Sequence, residues 1–351
     1  MKVKKISISG DPRECGQQYG SQCKELIHIC IENYKKFIFN DTRMNWEMAC
    51  KAAMRYEKSI MGFRPEYIEE MKGIAEGAQV EYAEIMAINC RSELRAMSDA
   101  IPLECTTMAV MPSVSADGHT YTGQNWDNNF IQRECMVIVQ IHETGKPTVM
   151  LFTEAGFIGG KGINDSGVSL LLNALFVGYE FEGIPLHIKM RGALDSTNIS
   201  DAYSVAAQGM TGAGGNLMLG TDGAAISEEL TLHEVDGILP TGGIITHTNH
   251  ILSPRLQSIP DQFRTNGSSF LRLARADELL RSQTRITKEY LFELFRDQVG
   301  YPHGICTHAI GNVAPEKQYS TNYSVLFDNT DKIAYYCAGY PDEGEYEKYS
   351  F

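Results

Sequence analysis

Residues Pro102–Asp127 read PLECTTMAVMPSVSADGHTYTGQNWD, and this stretch decides the fold. Cys105 opens a short run, Thr106–Met111, of apolar and β-branched residues. Asp117-Gly118 has the composition of a hairpin turn. His119–Gly123 reads as the returning strand, with Gln124, Asn125, Trp126 and Asp127 at its end. A hairpin of that length folds Asp127 back beside Cys105. The texture before Pro102 is helical and the texture after it is strand-rich. The change of texture suggests a boundary near Pro102–Cys105, between a helical N-terminal segment and a strand-rich core.

Working outward on the N-terminal side, Asp11-Pro12 supplies a helix N-cap and a first-turn proline. Apolar residues then recur at helical spacing through Leu26, Ile27, Cys30, Ile31, Tyr34 and Phe37. Arg64-Pro65-Glu66 opens a further helix with Ile68, Met71, Ile74 and Ala75 on one face, and Ala83–Asn89 makes a short third piece. On the C-terminal side, Met136–His142, Thr148–Phe152, Val168–Leu172, Asn216–Leu219 and Gly243–His247 read as strands. Helices return at Ile199–Gln208, Ser268–Arg281 and Thr287–Gln298. Strands close the chain at Tyr323–Phe327 and Lys332–Cys337.

The 351 residues are 43% hydrophobic and 21% charged, which suits a folded globular chain. A net charge of −13 repels phosphate backbones and anionic bilayers, so neither nucleic acid nor membrane is an expected partner. No apolar stretch is long enough to cross a bilayer, and the N-terminal residues lack the apolar core of a secretory signal. Nine cysteines without a C-x-x-C pair suit free thiols in a reducing cytoplasm.

No metal and no cofactor are expected. His303-Gly-Ile-Cys306-Thr-His308 offers three donors, but strand alternation would send some of them apart. The glycine-rich run Gly209–Gly215 lacks phosphate-loop spacing and reads as a flexible turn. No G-x-S-x-G elbow is present. No cysteine sits at a predicted helix start, where a thiolate would be favoured. Asn173 ends an apolar strand, where a carboxamide needs hydrogen-bond partners, and His247-Thr-Asn249 ends another in the same manner.

Taken together, several segments carry a resemblance. They are Asn89-Cys-Arg91-Ser-Glu93, Glu104-Cys105-Thr106-Thr107, Gly123-Gln124-Asn125-Trp126-Asp127, Gly162-Ile-Asn164-Asp-Ser-Gly167, Asn173, His247-Thr-Asn249 and Ser268-Ser-Phe-Leu-Arg272. In this order and spacing they resemble the N-terminal-nucleophile hydrolases, specifically the acyl-CoA:6-aminopenicillanic acid acyltransferase family of cysteine amidohydrolases. Bile-salt (choloylglycine) hydrolases and penicillin V acylases are more distant relatives.

The resemblance implies an α/β (α+β) fold in four layers, αββα, with two sandwiched antiparallel sheets. It implies self-cleavage between Glu104 and Cys105, with 1–104 staying bound as a small subunit. Cys105 matches the nucleophile and Asp127 the aspartate that holds its amine and thiol. Asn173 and Asn249 match asparagines near the oxyanion hole, and Arg272 the arginine that organises the site, here by fixing Asp127. Arg91, Glu93, Gln124, Asn125 and Trp126 are the expected substrate contacts. Glu104 stands where the fungal acyltransferase has glycine, and Gln124 where bile-salt hydrolases have arginine. The implied substrate is a small N-acyl amine, N-acyl amino acid or acyl thioester, and self-association into a homo-oligomer is left open. Two rivals remain: an uncleaved cysteine hydrolase with a histidine such as His247 as base, and a non-catalytic binding protein on the same fold.

The residue types suit amide chemistry. A thiol of ordinary pKa, about 8.5, is only a few per cent thiolate at neutral pH. A free α-amine on the same residue can take its proton, so such a site needs no histidine.

Overall fold

The computed structural model describes residues 3–98, 105–258 and 267–351. Glu104 and the Glu104-Cys105 bond lie outside the described residues.

The chain opens with strand β1 (Lys4–Gly10), then α1 (Pro12–Gln22), α2 (Lys24–Thr42), α3 (Trp46–Met54), α4 (Glu57–Phe63), α5 (Glu66–Ala78), α6 (Tyr82–Asn89) and α7 (Arg91–Ala96). The strands β2 (Cys105–Val110), β3 (Tyr121–Asn129), β4 (Met136–Glu143), β5 (Val149–Glu154), β6 (Lys161–Asn164) and β7 (Ser169–Tyr179) follow. Helices α8 (Leu186–Leu194) and α9 (Ile199–Ala207) precede β8 (Ala213–Thr221), β9 (Ala224–Leu230), β10 (Val235–Ile238) and β11 (Ile244–His247). Helices α10 (Pro254–Gln257), α11 (Gly267–Arg281) and α12 (Lys288–Phe295) lead to β12 (Tyr319–Asp328), β13 (Ile333–Ala338) and β14 (Glu347–Tyr349).

Among the described residues the strands form an eight-stranded sheet, β1-β4-β5-β6-β7-β8-β9-β10, and a six-stranded sheet, β11-β2-β3-β12-β13-β14. Three apolar layers define the stacking. Met150, Phe152, Ile163 and Leu171 of the first sheet meet Cys105, Trp126, Tyr323 and Phe327 of the second. Leu151, Leu170, Leu172 and Leu217, on the other face of the first sheet, pack under the helices of the N-terminal segment with α8 and α9. Met108, Val110 and Leu326 pack under α11 and α12. The order is helix, sheet, sheet, helix, the αββα sandwich expected.

The N-terminal segment is not purely helical. Lys4–Gly10 alternates, with Ile6 and Ile8 buried, and β1 pairs in parallel with β4 from Lys4 opposite Val137 to Gly10 opposite Glu143. Its first helix is capped as the sequence indicates. The Asp11 carboxylate accepts the Glu14 N–H at 2.9 Å, and the Glu14 carboxylate accepts the Asp11 N–H at 3.0 Å.

Helices α1 and α5 touch backbone to backbone through paired glycines. A Cβ on Gly16 would lie 2.1 Å from the Glu70 carbonyl oxygen, and one on Gly20 2.3 Å from that of Ile74. From the other side, a Cβ on Gly73 would lie 2.4 Å from the Arg13 oxygen, and one on Gly77 2.3 Å from that of Gln17. The Gly209–Gly215 run is not simply a turn: Gly214 and Gly215 lie inside β8, where a Cβ would meet Val177 and Leu186.

Candidate active site

Cys105 opens β2 and is 2% exposed. Trp126 lies directly across from it on β3, so the two side chains share the inter-sheet face. Asp127, one residue on, faces the opposite way. A register shift on β12 between Thr321 and Tyr323 serves both faces: Tyr323 pairs with Trp126 inside, while Thr321 pairs with Asp127 outside. The Thr321 hydroxyl donates to Asp127 Oδ1 at 2.6 Å. Asp127 is mid-strand rather than at a strand end, since β3 runs on to Asn129.

The polar residues converge on the Cys105 backbone. Its N–H donates to Asn249 Oδ1 at 2.8 Å. Its carbonyl accepts Arg272 Nη1 at 2.7 Å and Asn173 Nδ2 at 3.2 Å. Arg272 also donates to Thr106 Oγ1 at 3.0 Å and to Asn249 Oδ1 at 3.0 Å. The guanidinium thus reaches the Cys105 backbone and Asn249, where the sequence had it fixing Asp127. Asn249 Nδ2 donates to the Ala174 carbonyl at 3.2 Å. Asn173 sits in the middle of β7, and its Oδ1 accepts from Thr107 Oγ1 at 2.7 Å and Asn216 Nδ2 at 2.9 Å. Burial first, and the Asp127 carboxylate second, push the Cys105 thiol up to about 11, against smaller opposing pulls from Lys161, the Asp127 backbone N–H and Arg272. The thiol is therefore neutral at pH 7, and a nucleophilic role would require a base.

Histidine does not supply one here. His247 is held at both ring nitrogens, Nε2 against Glu229 Oε1 at 2.7 Å and Nδ1 against the Thr248 carbonyl oxygen at 2.8 Å. His250 Nδ1 is bonded to Ser269 Oγ at 2.8 Å, and burial, with His247 beside it, lowers its pKa to about 4. Among the described residues, no histidine is hydrogen-bonded to the Cys105 sulfur.

The expected substrate contacts divide. Arg91 and Trp126 lie close to each other and to Cys105. Arg91 begins α7; its Nε donates to His187 Nε2 at 3.1 Å, and its guanidinium centre lies 5.6 Å from the Trp126 ring. Gln124 instead staples the two sheets, its carboxamide bonded to the N–H and C=O of Leu172. Asn125 points outward and donates to the carbonyls of Phe295 at 2.8 Å and Ile305 at 2.9 Å. Glu93 accepts the Leu186 N–H at 2.8 Å at the start of α8, and burial raises its carboxyl to about 7. Sequence reasoning missed Lys161, Glu154 and Tyr34, which gather around Arg91 and Trp126. A lysine inside the otherwise apolar run Phe157–Ile163 was the available signal.

Cys306 and His308 do not splay apart. Cys306 Sγ, His308 Nε2 and the Asp342 carboxylate converge, with Sγ 3.1 Å from Oδ1 and Nε2 3.1 Å from Oδ2. The segment is an irregular loop closed by a His303–Thr307 bridge, so strand alternation does not apply. As hydrogen bonds these contacts satisfy all three groups. Nor are helix starts free of cysteine: Cys23 and Cys90 occupy the N-cap positions of α2 and α7. Burial raises both thiols, Cys23 to about 11 and Cys90 further, so neither is activated.

A family model described as acyl-coenzyme A:6-aminopenicillanic acid acyl-transferase matches residues 114–343. The chain is 31% identical over 347 residues to the acyl-coenzyme A:6-aminopenicillanic-acid-acyltransferase 40 kDa form of Emericella nidulans, a match covering 96% of this chain and 93% of that protein. Among solved structures, a variant of the conjugated bile acid hydrolase from Clostridium perfringens is 14% identical, covering 70% of this chain and 97% of that one at a TM-score of 0.48. Penicillin V acylase from Agrobacterium tumefaciens is 12% identical, covering 67% and 83% at a TM-score of 0.46. The 31% identity runs the length of the chain and the family model takes in Asp127, Asn173, Asn249 and Arg272, the residues gathered on and beside the Cys105 backbone; the chain belongs to the acyl-coenzyme A:6-aminopenicillanic acid acyl-transferase family.

Proposed function

We propose that this chain is a cysteine amidohydrolase or acyltransferase that cuts itself between Glu104 and Cys105 and then uses Cys105 on linear amides. One observation carries the reading: Asn249, Arg272 and Asn173 grip the backbone N–H and C=O of Cys105, not its sulfur. Such a grip suits a site in which the backbone nitrogen itself becomes a working group. The name of the Emericella relative, an acyltransferase, points the same way.

In the first reaction the Cys105 thiol attacks the Glu104 carbonyl. The acyl group passes from nitrogen to sulfur, and water resolves the thioester. The products are a Glu104 carboxylate and a Cys105 with free thiol and free α-amine. In the second reaction that amine takes the thiol proton as sulfur attacks the substrate carbonyl. The tetrahedral oxyanion needs hydrogen-bond donors, and the Asn173 and Asn249 carboxamides are the candidates nearest the sulfur's residue. The amine product leaves with the proton, and a thioester remains on Cys105. Water then releases an acid, or a second amine takes the acyl group. The substrate class is an N-acyl amine or N-acyl amino acid, penicillin-like in size.

The test is intact mass and denaturing electrophoresis of fresh protein. The 39.1 kDa chain should appear as two fragments, 1–104 and 105–351, and Cys105→Ala should leave it whole. A single uncut chain that hydrolyses penicillin V at full rate, or cleavage that survives Cys105→Ala, would refute the proposal.

A further inference from the structure

Cys105 has a neighbour that the chemistry above does not use. Lys161 rises from β6 in the sheet facing the nucleophile. Its register partner is Phe152, whose ring lies in the inter-sheet layer, so the lysine enters the same layer. It is 3% exposed. Its Nζ lies 4.0 Å from the centre of the Trp126 ring, the ring directly across from Cys105, and 6.0 Å from Tyr323. Among the described residues no hydrogen-bond acceptor holds this amine. An ammonium has three donors to satisfy, and two aromatic faces satisfy none of them. Burial and the nearby Arg91 lower its pKa to about 7, against smaller upward pulls from Cys105 and Glu154.

A second unmatched donor meets the same ring. Arg91 Nε donates to His187 and lies 3.7 Å from Glu154 Oε2, while Nη1 is buried with no hydrogen-bond partner among the described residues. Glu154 Oε1 accepts the Tyr34 hydroxyl at 2.5 Å, and among the described residues no hydrogen bond joins Glu154 to Lys161 or to Arg91 Nη1. Two cationic groups, one on β6 and one on α7, thus lie near the Trp126 ring with donors unmatched among the described residues. An apolar ligand would leave both unsatisfied, and a cationic one would be repelled. An anion satisfies both.

We propose that Lys161 and Arg91 Nη1 form an anion subsite beside Cys105, and that the amide substrate carries a carboxylate that docks there. The proposal rests on the reading of Cys105 as nucleophile. It gives the N-terminal segment a part in recognition, since Arg91 comes from it and Lys161 does not.

Binding and turnover separate the two readings. The uncut Cys105→Ala chain is titrated calorimetrically with phenoxyacetylglycine and with its methyl ester. The acid should bind more tightly by about tenfold or more. Lys161→Met should remove that preference and Lys161→Arg should retain most of it. In the active enzyme the ratio of kcat/KM for acid over ester should fall by about the same factor in Lys161→Met. Equal binding of acid and ester, or an undiminished preference in Lys161→Met, overturns the subsite whether or not the enzyme turns over. Preference in the Cys105→Ala chain, with that variant still turning substrate over, keeps the subsite and removes the nucleophile reading instead.

Discussion

Asn249 is the residue on which the proposed mechanism turns. Its Oδ1 accepts both the Cys105 N–H and Arg272, so the carboxamide is held at a fixed angle to the nitrogen proposed to become the base. Asn249→Ala removes that orientation without opening the substrate space. We expect slower self-cleavage and, in the cut fraction, a kcat lower by on the order of 10²-fold with KM little changed. Steady-state kinetics decide it: a raised KM with unchanged kcat would make Asn249 a ground-state substrate contact. At this scale the sequence was legible in bringing Asn249 and Arg272 to Cys105, though not in the partner it gave Arg272. It was illegible for Gln124 and Asn125, because a buried carboxamide that binds a ligand and one that staples backbone carry the same letter. Lys161 was hidden for a related reason: an isolated lysine in a strand usually lies on an edge or a wet face, and here the facing sheet covers it.

Elements were read well where period and punctuation agree. The capped start of α1 and the Thr287 cap of α12, with its 3.2 Å bond to the Tyr290 N–H, fall where the sequence put them. Strands β3 and β7 were read too short because the polar residues Gln124–Asp127 and Asn173 interrupt each apolar pattern; in the fold they are members of continuous strands. The α1–α5 contact was invisible, since glycines four apart in two separate helices mean nothing until the helices meet. That contact gives a sharp prediction. Gly73→Ala places a methyl against the Arg13 backbone oxygen, which no rotamer change relieves. The helices must separate, and thermal unfolding should show a loss of about 2 kcal/mol or more. Gly62→Ala, with nothing within 4 Å, is the control that should not destabilise. Equal melting temperatures for the two variants would mean that the helices slide apart freely.

On the scale of the whole molecule, segments 1–104 and 105–351 share a sheet through β1 and β4, and share the apolar layer around Tyr34, Phe157 and Ile188. A cut before Cys105 would therefore leave two pieces interleaved. Refolding from denaturant should then depend on protein concentration for the cut enzyme and not for uncut Cys105→Ala, as followed by far-ultraviolet dichroism; equal behaviour would mean that the pieces fold as independent bodies. The β1–β4 pairing also sets an order in time. Lys4 leaves the ribosome long before Val137, so the first strand waits for its partner while the rest is made. While the chain is continuous, that closure is unimolecular. After scission the same closure would require two molecules to find each other at cellular dilution. The mature form would be a state reached once and held by a barrier, with its working life set by how slowly β1 peels from β4.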